Sequence, residues 1–194
     1  MMKIIASIMA LFGIASCTNA GNGKAELNDK KVLVAYYSWG GNTKAVGDYI
    51  AEKLKADVYQ IETAMPYPTD YQTCVKEVGR QGKTFEPELK PSSINVVDYD
   101  VIFVGSPCWW GTIANPVRTF LHTNSFSGKT VIPFITNGTS GKRLQDVRSL
   151  CTGATVLEGL SIYNRYQVET TVNTPDNMGK WEELVDRWLE AVAK

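Results

Sequence analysis

The amino-acid sequence predicts an α/β domain, an open parallel sheet buried between helices on both faces. Three observations carry this expectation. Short apolar, β-branched runs alternate with amphipathic segments along most of the chain. No internal repeat and no second compositional region interrupts the alternation. Polar, glycine-containing loops follow several of the apolar runs, which is where open parallel sheets place their ligands.

The elements follow in order. Residues 32–37 form an apolar and aromatic run, suited to a strand buried on both faces, and Gly40-Gly41 break it. Val46, Tyr49, Ile50 and Leu54 then recur at helical spacing, with charged residues between them. Residues 57–61 predict a second strand. Thr69 and Gln72 have capping-box spacing, and Tyr71, Cys74, Val75 and Val78 make a helical stripe that Gly79 ends. Residues 81–100 have no clear period and contain two prolines; packing against the domain should order them. Residues 101–105 are the plainest buried strand. Asn115-Pro116 predicts a helix start with proline in first position, and Val117, Phe120 and Leu121 share one face. Residues 130–136 predict a fourth strand, interrupted near its start by Pro133. Leu144, Val147 and Leu150 give a helical face, and residues 154–157 a fifth strand. Residues 161–174 read as an irregular polar and aromatic excursion. Trp181, Leu184, Val185, Trp188, Leu189 and Val192 mark the cleanest amphipathic helix.

The chain has 194 residues, with 20 Lys plus Arg against 20 Asp plus Glu, so charge gives no case for nucleic acid or an anionic surface. A single histidine, His122, follows a predicted helix away from the loops and is read as structural. The cysteines are scattered, with no CxxC, HExxH or His/Cys cluster, which argues against a dedicated metal site.

The first thirty residues differ from the rest. Lys3, then an apolar stretch over 4–14 too short to span a bilayer, then Ile14-Ala15-Ser16-Cys17, describe a targeting segment. Small residues before a cysteine resemble the lipobox of bacterial lipoproteins. That resemblance implies a signal peptide over 1–16, a lipidated Cys17, a flexible tether to residue 30, a folded domain over 31–194, and an exported protein anchored to a membrane on the periplasmic or cell-surface side. The alternative is an ordinary signal peptide with Cys17 incidental. Export would leave Cys74, Cys108 and Cys151, an odd number, so at least one should be a free thiol; any disulfide among them stays open.

Three loops carry the chemistry. The first, Ser38-Trp39-Gly40-Gly41-Asn42-Thr43-Lys44, combines glycines that let the backbone approach a ligand with hydroxyl and amide donors at a helix N-terminus, a combination suited to a phosphate. A plain glycine turn with a helix cap is the competing reading. The motif is neither a Walker loop nor the GxGxxG dinucleotide fingerprint. The second, Gly105-Ser106-Pro107-Cys108-Trp109-Trp110-Gly111-Thr112, sets two adjacent indoles beside a glycine. Either they pad the core or they form a flat aromatic slot. The third, Thr136-Asn137-Gly138-Thr139-Ser140-Gly141, is a polar turn after the fourth strand.

Tyr36-Tyr37-Ser38-x-x-Gly41-Asn42-Thr43 resembles the FMN phosphate loop of the flavodoxin-like family, and Pro107-Cys108-Trp109-Trp110-Gly111 is similar to a subgroup with a Pro-x-Trp-Trp-Gly signature found in exported bacterial proteins. The resemblance implies a three-layer flavodoxin-like sandwich on a five-stranded parallel sheet of order 2-1-3-4-5. It implies FMN as cofactor, held by Ser38, Gly40, Gly41, Asn42, Thr43 and Lys44 at the phosphate, by Pro107, Cys108, Trp109, Trp110, Gly111 and Thr112 along the ring, and by Thr136, Asn137 and Gly138 beside it. Gly111 would let a peptide turn toward the flavin. Gly40 departs from the family pattern, since many members carry a hydroxyl residue there; backbone N–H groups would have to complete the phosphate shell. The implied activity is a reductase passing electrons from NAD(P)H or a protein donor to a quinone or similar small acceptor. No acid–base residue need be supplied, because the flavin carries the chemistry. A flavodoxin-type carrier docking on protein partners is the alternative, although zero net charge weakens long-range steering. A flavin-free binding lipoprotein is the third reading.

Overall fold

The computed structural model describes residues 23–138, 144–164 and 175–193. The predicted leader, Cys17 and most of the tether lie outside the described residues. So do residues 139–141 of the third loop and 165–174 of the excursion.

One sheet organises the chain. Its strands are β1 (Val32–Tyr36), β2 (Asp57–Gln60), β3 (Val101–Trp109), β4 (Thr112–Ile113), β5 (Thr130–Asn137), β6 (Thr155–Val156) and β7 (Leu160–Tyr163). The order along the sheet is β2-β1-β3-β5-β6. β7 continues the outer edge beside the end of β5, and β4 folds back antiparallel on the end of β3. With β6 and β7 taken as one broken edge strand, this is the predicted 2-1-3-4-5 order. Val32–Tyr36 run in parallel register with residues 101–105. All the parallel strands therefore end on one side of the molecule.

Successive β1 residues enter different cores, as the two-residue pleat requires. Val34, Phe103 and Ile132 pack beneath α1 (Asn42–Leu54) and α5 (Trp181–Val192). Leu33, Ile102 and Val131 pack on the other face. There α2 (Tyr71–Gln81), α3 (Asn115–Thr123) and α4 (Gln145–Leu150) contribute Cys74, Val117, Phe120 and Val147. Each large apolar side chain buried in this way contributes about 1.5–3 kcal/mol.

Several boundaries differ from the sequence expectation, each for a physical reason. β2 stops at Gln60, and Ile61 instead donates its N–H to Tyr36 O at 2.7 Å. The cap of α2 is Asp70, not Thr69: its carboxylate accepts from Thr73 N at 2.8 Å and from Thr73 Oγ1 at 2.6 Å. Nor does α2 end at Gly79. It runs to Gln81, and Gly82 at φ 79° closes it. Ala114 caps α3, so Pro116 is its second residue. Pro133 does not interrupt β5. Val131, two residues earlier, directs its carbonyl to Leu157 N on the β6 side, so the N–H that Pro133 lacks would face the gap between β6 and β7. Ser161 and Ile162 belong to β7, not to an irregular excursion. Residues 81–100 are ordered by packing, as expected. Thr63 bridges Leu89, Ala64 N donates to Glu88 O at 2.9 Å, and Thr119 Oγ1 donates to Pro87 O at 3.0 Å.

Candidate functional site

A cavity of about 570 Å³ opens at the carboxyl ends of β1, β3 and β5, roofed by α2. Its size falls within the roughly 300–1,000 Å³ of small-ligand sites. Among the described residues, no charged side chain lines it. The described lining offers a ligand neutral donors, backbone and aromatic surface.

The polar end is built on the start of α1. Gly41 occupies the cap position at φ 90°, a left-handed conformation that a residue with Cβ resists, and no side chain caps the helix. Ala45 N bonds to Gly41 O at 2.9 Å, which leaves the N–H groups of the first turn pointing out of the helix end. The first turn has no acidic residue, so the positive end of the helix dipole is not neutralised. Ser38 Oγ and Asn42 Oδ1 are buried without a hydrogen-bond partner among the described residues. So is Asn137 Oδ1 at the end of β5, in a side chain only 5% exposed. Buried polar atoms are rarely left unpaired. Ser38 and Asn42, beside the bare helix N-terminus, fit a phosphate-bearing ligand, while Asn137, its amide nitrogen already bonded to Ser161 Oγ and Ile162 O, offers the cavity an acceptor only. The Asn42 amide meets an anion after a half-turn that exchanges its oxygen and nitrogen. Thr43 and Thr136 share a hydroxyl–hydroxyl bond of 2.8 Å, tying the start of α1 to β5.

The opposite end is aromatic. Trp109 is the last residue of β3, and its indole meets Tyr37 and Tyr67 edge to face at 5.4 and 4.9 Å. Tyr67 OH donates to Gln81 Oε1 at 2.7 Å, and Asn115 Nδ2 donates to the same oxygen at 3.2 Å, so α2 is tied to this wall. The next two residues form the tip of the β3–β4 hairpin, with Trp110 at φ 49° and Gly111 at φ 80°. Two positive φ values in a two-residue loop are the geometry of a type I′ turn, which is unusual for a bulky residue such as tryptophan. The turn holds Trp110 58% exposed at the cavity mouth. Its ring leans on α2 at Gly79, where an added Cβ would lie 3.3 Å from the indole. Burial pushes the Cys74 thiol up to about 11 and the Tyr67 phenol up to about 12, so this wall stays neutral at physiological pH.

The structure brings most of the predicted residues to one place. Ser38, Gly40, Asn42, Thr43, Pro107, Cys108, Trp109, Trp110, Gly111, Thr136, Asn137 and Gly138 all line the cavity. Three do not. Gly41 acts through its backbone, as the cap of α1. The Lys44 ammonium turns away to Asp48, at 2.6 Å, and to Tyr36 OH, at 3.4 Å. Thr112 is buried behind the hairpin, where its hydroxyl donates to Asp146. The two tryptophans also sit differently from a simple loop. Cys108 and Trp109 are still β3, and only Trp110 and Gly111 form the turn. Cys74, Cys108 and Cys151 are all thiols without a disulfide. His122 lies outside the cavity and pairs with Glu86 at 2.8 Å.

Six lining residues were not anticipated: Trp39, Tyr71, Cys74, Val75, Val78 and Asn164. Trp39 donates its indole N–H to Pro68 O at 2.8 Å, and Asn164 N donates to Asn137 O at 2.7 Å. The α2 residues were visible in the sequence as a helical stripe, but nothing in a stripe distinguishes a face on the core from a face on a cavity.

A family model described as flavodoxin matches residues 31–180. The chain is similar to a crystal structure assigned as a flavoprotein from Bacteroides uniformis, with 26% identity and a TM-score of 0.67 over 83% of this chain and 98% of that one. A second assigned flavoprotein, from Bacteroides eggerthii, gives 25% identity and a TM-score of 0.63 over 84% and 98% of the two chains. A flavoprotein from Lactobacillus acidophilus, solved in complex with FMN, gives 25% identity and a TM-score of 0.59 over 68% and 93%.

Proposed function

The chain belongs to the flavodoxin family, and on that premise we propose that it binds FMN in this cavity and works as a reductase, passing electrons from NAD(P)H or a protein donor to a quinone or similar small acceptor. The observation that carries the proposal is the make-up of the cavity's described lining. Unpartnered buried polar atoms at the bare start of α1 face an aromatic wall at the other end. Ser38, Asn42, Thr43 and the first N–H groups of α1 hold the phosphate. Backbone N–H groups serve where Gly40 offers no side chain. Trp109 supplies the half-buried wall of the ring slot, while Trp110 closes its mouth. Asn137, fixed through Nδ2 to Ser161 Oγ at 2.8 Å and to Ile162 O at 3.2 Å, presents its oxygen beside the ring. FMN supplies the electron transfer itself, so the protein binds, orients and shields.

A flavin absorbance spectrum after reconstitution with FMN tests the binding; its absence would leave the cavity to another ligand. Turnover with NADH or NADPH and a short-chain quinone tests the activity. A bound flavin without such turnover would point to the carrier reading instead.

The proposal extends to the N-terminus. Residues 1–16 act as a signal peptide, Cys17 carries the lipid, and the chain from Cys17 tethers the domain to a membrane outside the cytoplasm. The tether is shorter than the expected 17–30, because Ala25 is buried and its N–H already bonds to Val192 O at 2.7 Å. The motivation is the apolar stretch followed by Ile14-Ala15-Ser16-Cys17. Mass spectrometry of membrane-fraction protein should show an acylated Cys17 as the first residue. An unlipidated start elsewhere would contradict it.

A further inference from the structure

We propose that the cavity of the anchored protein faces away from the membrane, so that its electron acceptor is a water-soluble electrophile and not a quinone dissolved in the lipid. This rests on the proposed lipid anchor at Cys17 and narrows the acceptor class of the reductase.

The observation is where the N-terminal segment joins the domain. Ala25 is buried, donates its N–H to Val192 O at 2.7 Å and bridges Ala193, just past the end of α5. Lys24 Nζ donates to Glu190 O at 2.5 Å beside it. The direction of α5 follows from its contacts. Asp186 accepts from Tyr49 OH at 3.1 Å and pairs with Lys53 at 3.0 Å, while Trp181, five residues earlier, meets the Tyr49 ring at 5.3 Å. α5 therefore runs alongside α1 in the same sense. α1 starts at the cavity, so both helices end at the opposite pole, where the strands begin. Gly23 agrees: a Cβ there would lie 3.8 Å from Leu157, whose N–H bonds to Val131 near the start of β5.

Lengths decide the consequence. From Val101 to Trp109, β3 climbs eight residues, about 26 Å at the usual strand rise. That is the separation between the pole where the N-terminal segment joins and the cavity mouth. From Cys17 to Ala25 the chain also has eight steps, about 27 Å at full extension. A lipidated cysteine sits beneath the headgroups, and crossing that layer uses roughly 5 Å or more. Too little chain remains to run the length of the domain and lay the cavity on the bilayer. A lipid-phase quinone is therefore out of reach, while a soluble acceptor, or a soluble donor, meets the exposed Trp110 rim directly.

The test uses the full chain, lipidated and reconstituted in phosphatidylcholine vesicles. A fluorophore is placed at the cavity pole through Met65→Cys, a position 82% exposed, or at the opposite pole through Lys30→Cys, with the unsubstituted chain as labelling background. A nitroxide-headgroup lipid should quench the Lys30→Cys label several-fold more than the Met65→Cys label, while iodide in solution reaches the Met65→Cys label. Equal quenching of both labels by the lipid probe would overturn the orientation. Protein that fails to float with the vesicles would remove the anchor and the inference with it. These readings do not depend on FMN. In the flavin-loaded protein, a bilayer-confined long-chain quinone should be reduced at least tenfold more slowly than a water-soluble short-chain quinone, and detergent should abolish the gap. Equal rates in intact vesicles would overturn the acceptor class.

Discussion

α2 and α5 carry the same kind of sequence pattern and do different work. Both are amphipathic, with 11 and 12 residues. α5 buries Trp181, Val185, Trp188, Leu189 and Val192 against the sheet and completes a core. α2 buries only Cys74 and Val78, and the face holding them, with Tyr71 and Val75, looks onto a cavity. What α2 lacks in packing it replaces by fastening at its ends. Asp70 caps its start, and Gln81 and Gly82 are gripped by Tyr67 OH and Asn115 Nδ2 at its finish. Helical spacing reports that a face is covered. It does not report whether protein or ligand covers it.

Substitutions should separate the two helices. The largest effect is expected in α5. Trp188 packs edge to face on Phe103 at 5.8 Å and donates to Glu158 O at 3.1 Å, so Trp188→Ala should cost about 3–5 kcal/mol in urea unfolding, equally with and without FMN. A cost that vanished on adding FMN would erase the contrast. Thr43→Ala, at the polar end of the cavity, should weaken FMN binding by about 1–3 kcal/mol, the usual worth of a hydrogen bond to a charged group, as read by titration. Unchanged affinity would remove the phosphate from this end.

Trp110→Ala should move stability by no more than about 0.5 kcal/mol, because the ring is mostly exposed and its backbone sits at positive φ. Flavin affinity and midpoint potential should nevertheless shift. A large stability loss with unchanged flavin properties would make Trp110 a packing residue like Trp188. The smallest effect concerns thiols. Burial raises Cys74 to about 11 and Cys151 to about 12. A thiol with a raised pKa favours the folded state below its unfolded value, near 8.5, and that contribution fades as pH climbs toward the folded value. Unfolding midpoints should therefore fall between about pH 8.5 and 11. FMN should slow alkylation of Cys74, which lines the cavity, more than that of Cys151, which does not. Equal protection of the two would place the flavin elsewhere.

Much of this was legible in the sequence because it rests on local chemistry. The runs around Val34, Phe103 and Ile132 have no polar face, so they had to be central strands, and the glycine break after Tyr37 had to be a turn into α1. Thirteen cavity residues lay in the three loops that end strands, Trp39 among them. The remainder depends on long-range contacts that no local pattern encodes. The aim of the Lys44 side chain is decided by Asp48 one turn on. The placement of Thr112 is decided by Asp146, more than thirty residues away. Asn164 reaches the cavity only because β7 pairs with the end of β5. The start of α2 was misjudged because Thr69 and Asp70 are both competent caps, and the competition is settled by Asp70 gripping Thr73 twice.

Amide hydrogen exchange on the flavin-free protein, repeated with FMN at a hundredfold excess over its dissociation constant, tests the assignment of the cavity most directly. Ligand at that level stabilises the states that bind it by about 2.7 kcal/mol. The expected result is a marked slowing across Tyr71–Gln81 and at the start of α1, with Trp181–Val192 slowed only as far as global unfolding is suppressed. Saturable FMN binding that leaves α2 exchanging as before, or no binding at all, would contradict a flavin seated between α2 and the ends of β3 and β5.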